Sequence, residues 1–137
     1  MIEQFPEDTP PDGAKSMQGA FYRLASKHLK PGERTDDASW LRPYQTRKNR
    51  YHKHPEDPEA HGLSIFADLD DLRRCRQINA PMRRKSVAEV TIGFADGDLR
   101  HTPIENGITH HDWWTAPYNL VPDAEIVEAG EEATDGV

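Results

Sequence analysis

Between residues 86 and 94 the chain alternates: Ala88, Val90, Ile92 and Phe94 fall to one side, and Val87, Glu89, Thr91 and Gly93 to the other. A repeat of period two is the pattern of an extended strand, whose successive side chains point to opposite faces. A lone strand cannot hide its apolar side, so this segment commits the chain to a sheet. The run Asp96-Gly97-Asp98 ends it with a turn.

Candidate partners lie on both sides. Gly19–Ala25 places Phe21, Arg23 and Ala25 on one face and Tyr22 and Leu24 on the other, with a helix as the rival reading of so short a run. Residues 61–67 read as a short strand, residues 99–103 as another, and residues 112–115 and 124–128 as two short edge strands. Residues 68–78 are the main helix. Asp68 suits the N-cap, Asp70 and Asp71 sit in the positive first turn, and the arginines follow toward the negative end. Leu69, Leu72, Cys75 or Arg76, and Ala80 form an inward stripe, and Asn79-Ala80-Pro81 ends the helix.

Residues 31–61 lack periodicity. They hold Pro31, Pro43, Pro55 and Pro58, with Trp40, Leu41, Tyr44 and Tyr51 as isolated anchors. So long a connection is either functional or disordered. The expected fold is α+β: a small, mostly antiparallel sheet, one main helix, a long irregular loop and acidic flexible ends.

The 137 residues fit one domain. Mean hydropathy is −0.88, low for a packed chain, but three Trp, four Tyr and four Phe supply enough apolar surface for a modest core. The net charge of −7 is unevenly placed. Residues 1–12 carry four acids and residues 123–137 carry six, with no Lys or Arg in either. Between them, 17 bases face 14 acids, so the body is mildly basic. Residues 1–16 and 130–137 are therefore read as flexible acidic tails around a domain at 17–129. No apolar run is long enough to span a membrane, and the acidic start lacks the features of a signal peptide. Cys75, the single cysteine, excludes an internal disulfide and a cysteine-based zinc site. A cytoplasmic setting is the expectation.

Eleven of the seventeen bases fall in two acid-free windows. Residues 41–54 contain Arg42, Arg47, Lys48, Arg50 and Lys53, interleaved with Tyr44, Tyr51 and His52. Residues 72–85 contain Arg73, Arg74, Arg76, Arg83, Arg84 and Lys85. Charge mixed with stacking faces is what nucleic-acid surfaces use. The plainer reading is a solvated loop and helix face neutralised by the acidic ends. Trp113-Trp114 adds a pair of aromatics that point to opposite faces of a strand, one into the core and one free to anchor a partner.

The histidines offer a metal reading. His52 and His54 share one face of an extended segment, as do His110 and Asp112. Ordinary loop and surface histidines are the favoured alternative, and no metal is required.

Three short segments, Phe21-Tyr22-Arg23-Leu24, Gly62-Leu63-Ser64-Ile65 and Val87-Ala88-Glu89-Val90, stand in the order that resembles ADP-ribosyltransferase-like enzymes. That resemblance implies that Arg23 holds the phosphates of NAD, the Ser64 strand shapes the pocket and Glu89 steers the ribose. Over residues 19–115 the chain also resembles a family of small bacterial proteins. These share the arginine-bearing first strand, a Ser-Ile strand, a Val87–Gly93-like segment and a turn, here 102–107, running into His110-His111. This implies a common set of Arg23, Ser64, Glu89 and His110 or His111, and no activity.

The first functional expectation is an accessory domain recognising an anionic partner: a nucleotide, nucleic acid or acidic protein surface. Arg42, Arg47, Arg50, Arg73, Arg76 and Arg83 would grip it, Tyr44, Tyr51, Trp113 or Trp114 would stack, and the acidic C-terminal tail would compete. The alternative is a small NAD-using enzyme built on Arg23, Ser64, Glu89 and His110. A third is a structural or assembly subunit, including a homo-oligomer.

Overall fold

The computed structural model describes residues 4–46 and 54–131. Among them, seven strands form one antiparallel sheet: β1 (Lys15–Ser16), β2 (Gly19–Ala25), β3 (Leu63–Phe66), β4 (Ser86–Ile92), β5 (Gly97–His101), β6 (His110–Thr115) and β7 (Asp123–Glu128). Their order across the sheet is β1-β5-β6-β3-β2-β4-β7. Two helices, α1 (Leu69–Arg76) and α2 (Ala80–Arg83), follow β3. The fold is α+β and rich in strand. No described helix is long and apolar enough to cross a membrane.

The alternating segment does what its period demands. Seven residues of β4 pair with β2, from Gly19 opposite Ile92 to Ala25 opposite Ser86. One sheet face gathers Phe21, Leu63, Ile65, Ala88, Val90, Ile92, Leu99, Trp113 and Ile126, closed over by Met17, Leu29, Trp40 and Leu120. The other face packs Phe66 and Val87 against Leu72 and Cys75 of α1. Leu72 is fully buried, and such a side chain contributes about 1.5–3 kcal/mol.

Asp68 caps α1 by accepting from the Asp70 amide at 3.0 Å. Asp71 is buried and accepts from the Thr109 amide and hydroxyl, each at 2.7 Å, and from Arg74 at 3.1 Å. Burial alone would raise its pKa. The Thr109 and Arg74 bonds outweigh that and hold it below the usual carboxylate value, which ties the helix start to the approach to β6.

Several expectations are corrected. Residues 112–115 are not an edge strand, because β6 begins at His110 and lies between β5 and β3. Its two histidines are hydrogen-bonded there, His110 to Ser64 and Thr102 and His111 to Thr109. Trp113 and Trp114 are both buried. Trp40 stacks edge-on to Trp113 at 6.0 Å, and the Trp114 indole donates to the Pro58 carbonyl at 2.9 Å, so both faces of β6 are covered. Trp113 is therefore a core residue and no stacking platform. Asn79 does not simply stop the main helix. Its side chain accepts from the Met82 amide and starts α2. The strand at 86–94 ends at Ile92, and Phe94 is more than half exposed.

The N-terminal segment is not wholly a loose tail either. Lys15 and Ser16 pair with Leu99 and Asp98, and the Phe5 ring packs against Tyr118 at 4.7 Å. The described part of 31–61 holds 3-10 turns at Asp37–Trp40, Pro43–Gln45 and Pro58–Ala60 and an isolated bridge from Arg34 to Glu125, in agreement with an irregular connection.

Gly97 shows how closely β5 and β6 approach. Its φ is +117°, and a Cβ there would stand 2.0 Å from the Trp114 carbonyl oxygen. Gly97→Ala is expected to lower the unfolding free energy by more than about 2 kcal/mol in urea denaturation. An unchanged midpoint would refute that placement.

Candidate active cleft

β2 and β3 are paired at Tyr22–Phe66 and at no other position among the described residues. Beyond that point the Arg23 side chain, rather than the β2 backbone, meets β3. Its Nη1 donates to the Ser64 carbonyl at 2.8 Å, its Nε to the Ser39 carbonyl at 2.7 Å and its Nη2 to the Leu41 carbonyl at 3.1 Å. The guanidinium also lies 5.2 Å from the Trp40 ring centroid. Arg23 thus acts as a wedge where the two strands part.

The parting opens a cleft of about 680 Å3. Ser64, Phe66, His110 and Asp112 belong to its floor strands. Arg23 and Lys85 lie toward β2 and β4, and Glu59, Thr102 and Ile104 toward β5. Burial, and then the charge of Arg42, pull the Arg23 guanidinium down to about 10. Burial, and then Arg23 itself, push the Lys85 ammonium below its ordinary value. Among the described residues neither cation has a carboxylate partner. Glu59, by contrast, faces Arg100 at 3.7 Å.

In the middle stand Ser64 and His110. Ser64 is exposed, and its Oγ lies 2.5 Å from His110 Nε2. His110 Nδ1 lies 2.8 Å from the Thr102 carbonyl oxygen and 2.9 Å from its hydroxyl. A carbonyl only accepts, so Nδ1 carries the proton. Nε2 is then bare and accepts from the Ser64 hydroxyl. The turn after β5 brings Thr102 back across β6, where its amide donates to the His110 carbonyl at 3.0 Å.

Of the residues named from sequence, Arg23, Ser64 and His110 meet in this cleft. Glu89 does not line it; it stands opposite Tyr22 in the β2–β4 ladder. Burial, and then the Glu89 carboxylate, raise the Tyr22 hydroxyl above its ordinary value. His111 is on the other sheet face, its ring against Phe21 and its Nδ1 donating to the Thr109 carbonyl at 2.7 Å.

Among the described residues, the arginines of the two windows do not form one free cationic surface. Arg42 is buried and donates to the His61 carbonyl at 2.6 Å, to Thr115 Oγ1 at 2.9 Å and to the Tyr118 carbonyl at 2.7 Å. Arg73 and Arg76 are paired with Glu128, and Arg83 with Glu131 at 3.6 Å. The acids after residue 122 thus occupy the helix arginines within the fold. The Tyr44 hydroxyl meets that of Tyr118 at 3.0 Å and its ring lies on His61. Arg47, Arg50, Tyr51 and His52 lie outside the described residues.

Of the candidate metal ligands, His110 has both ring nitrogens hydrogen-bonded, and His54 Nδ1 accepts from the Glu56 amide at 3.2 Å. Asp112 also lines the cleft. No group of three or more metal-ligating side chains gathers among the described residues. A smaller cleft of about 330 Å3, beside Phe5, Phe94, Trp114 and Tyr118, has Asp98 as its one charged lining residue.

Two members of the site were hard to find from sequence. Lys85 reads as one base among six in its window, and Thr102 as part of a proline turn. The short spacing from Thr102 to His110 is the one local signal.

No family model, curated protein or solved structure gives a significant match to the chain.

Arg42 is a structural cation, and lysine lacks the planar fork that serves three acceptors at once. Arg42→Lys should cost about 2–3 kcal/mol of stability, read from thermal or urea unfolding, given what hydrogen bonds to charged groups contribute. A variant as stable as the parent would contradict this.

Proposed function

We propose that this protein is a binding domain for a small anionic ligand, seated on Arg23 and Lys85 in the cleft between β2 and β3. The observation that carries the reading is the pair of neighbouring cations without a carboxylate partner among the described residues. Two like charges, one of them desolvated, destabilise each other until an anion joins them. Arg23 is already oriented by three carbonyls, so little side-chain freedom is lost on binding. Its planar fork suits a carboxylate or phosphate, and Lys85 adds a mobile ammonium at the exposed side.

This narrows the anionic partner expected from sequence. An extended nucleic-acid surface draws little support from helix arginines that already hold Glu128 and Glu131. NAD remains one candidate among small anions, through its pyrophosphate. It lacks the support of Glu89, which stands outside the cleft lining.

Thermal unfolding with millimolar inorganic phosphate, succinate, ADP and NAD tests the proposal. A ligand at 100 times its dissociation constant adds roughly 2.7 kcal/mol to the folded state. At least one of these anions should raise the Tm, and Lys85→Glu should remove the rise while the unliganded variant, relieved of the like-charge pair, melts no lower than the parent. No shift with any of the four, or an equal shift in Lys85→Glu, overturns it.

A further inference from the structure

We infer that Ser64 is a nucleophile with His110 as its general base, and that the cleft hydrolyses small carboxylic esters carrying an anionic group. The substrate class rests on the proposed anion subsite; the nucleophile rests on its own geometry. A serine hydroxyl is inert until a base takes its proton as it attacks. Here the base is in place, with Ser64 Oγ 2.5 Å from His110 Nε2. The base is itself oriented, because Nδ1–H is directed at the Thr102 carbonyl and leaves Nε2 as the acceptor. A serine–histidine bond that served packing alone would have no need of an exposed serine at a cleft floor. Ser64 is exposed while His110 is buried, so the hydroxyl faces incoming substrate and the imidazole is shielded.

The steps balance as follows. The Ser64 oxygen attacks the ester carbonyl carbon as its proton passes to His110 Nε2. The carbon–oxygen bond to the leaving alcohol then breaks, and that alcohol departs with the proton from Nε2. Water next attacks the acyl-serine, gives a proton to Nε2, and the carbon–Oγ bond breaks as the proton returns to Ser64. The sum is ester plus water giving acid plus alcohol. Arg23, bonded to the Ser64 carbonyl and lining the same cleft, brings positive charge to the wall next to the nucleophile.

A fluorophosphonate probe tests the nucleophile without using the anion subsite, since Ser64 would displace fluoride from phosphorus. Mass spectrometry should place the adduct on Ser64 of the full chain. Ser64→Ala should take up none, and His110→Gln should react at least about a hundredfold more slowly, the usual contribution of a general base. Absence of an adduct, or labelling that survives Ser64→Ala, overturns the proposal even if anions bind. Release of 4-nitrophenol then tests the substrate class. The 4-nitrophenyl monoester of succinic acid should turn over about tenfold or more faster than 4-nitrophenyl butyrate, and Lys85→Ala should erase the difference. Equal rates in the parent protein reject the anionic substrate while leaving the Ser64 adduct to stand or fall by itself.

Discussion

The guanidinium of Arg23 takes three backbone carbonyls, Ser39 and Leu41 from the long connection and Ser64 from β3, at the point where β2 and β3 cease to pair. Backbone carbonyls that lose a ladder partner take another donor, and here a side chain supplies what a strand ladder would otherwise give. The arrangement binds the connection to the sheet and holds the two strands apart. The cleft exists because of that separation. A charge in this position also carries a penalty of desolvation, and the fold offers it carbonyl dipoles and the face of Trp40 in place of a carboxylate. The cleft and the end of the β2–β3 ladder therefore have one origin.

Around this wedge several other described arginines serve the fold. Arg42 spans the connection, the turn at His61 and the end of β6, with its guanidinium over the Phe5 and Tyr118 rings. Arg73 and Arg76 fasten α1 to β7 through Glu128. A chain with few apolar residues can hold its outer layers with charged and hydrogen-bonded contacts where its core is thin. The same contacts leave the basic residues with far less free charge than the sequence windows imply.

His110 occupies a different kind of position. It lies inside the sheet, on a strand flanked by β5 and β3, so its ring can be held from both sides. Thr102 returns from the β5 end to meet Nδ1, and Ser64 comes from the neighbouring strand to meet Nε2. The register sets Phe66 opposite His110 and Ser64 opposite Asp112, so the serine reaches the histidine diagonally across the pair of strands. Placement on two paired strands gives the contact the rigidity of the sheet.

Local pattern alone determined β4, the Asp68-capped start of α1 and the irregular character of the long connection, and left β2 open between strand and helix, because each depends on near neighbours in the chain: alternation, a cap, clustered prolines. The family resemblances pointed to Arg23, Ser64, Glu89 and His110 or His111, of which Arg23, Ser64 and His110 line the cleft. Three features were set by long-range contacts. The segment 112–115 read as an edge strand, and β6 is interior because β5 and β3, from distant parts of the chain, pair with it on both sides. One of Trp113 and Trp114 looked free, yet Trp40 packs on the first and the second donates to the Pro58 carbonyl. Glu89 looked catalytic, yet the β2–β4 register set it beside Tyr22 and outside the cleft lining. Charge windows behaved likewise, since whether an arginine is free depends on which acid the fold brings to it. Periodicity constrains which face a residue takes, but the partner it meets there is fixed only when the strands are set in register.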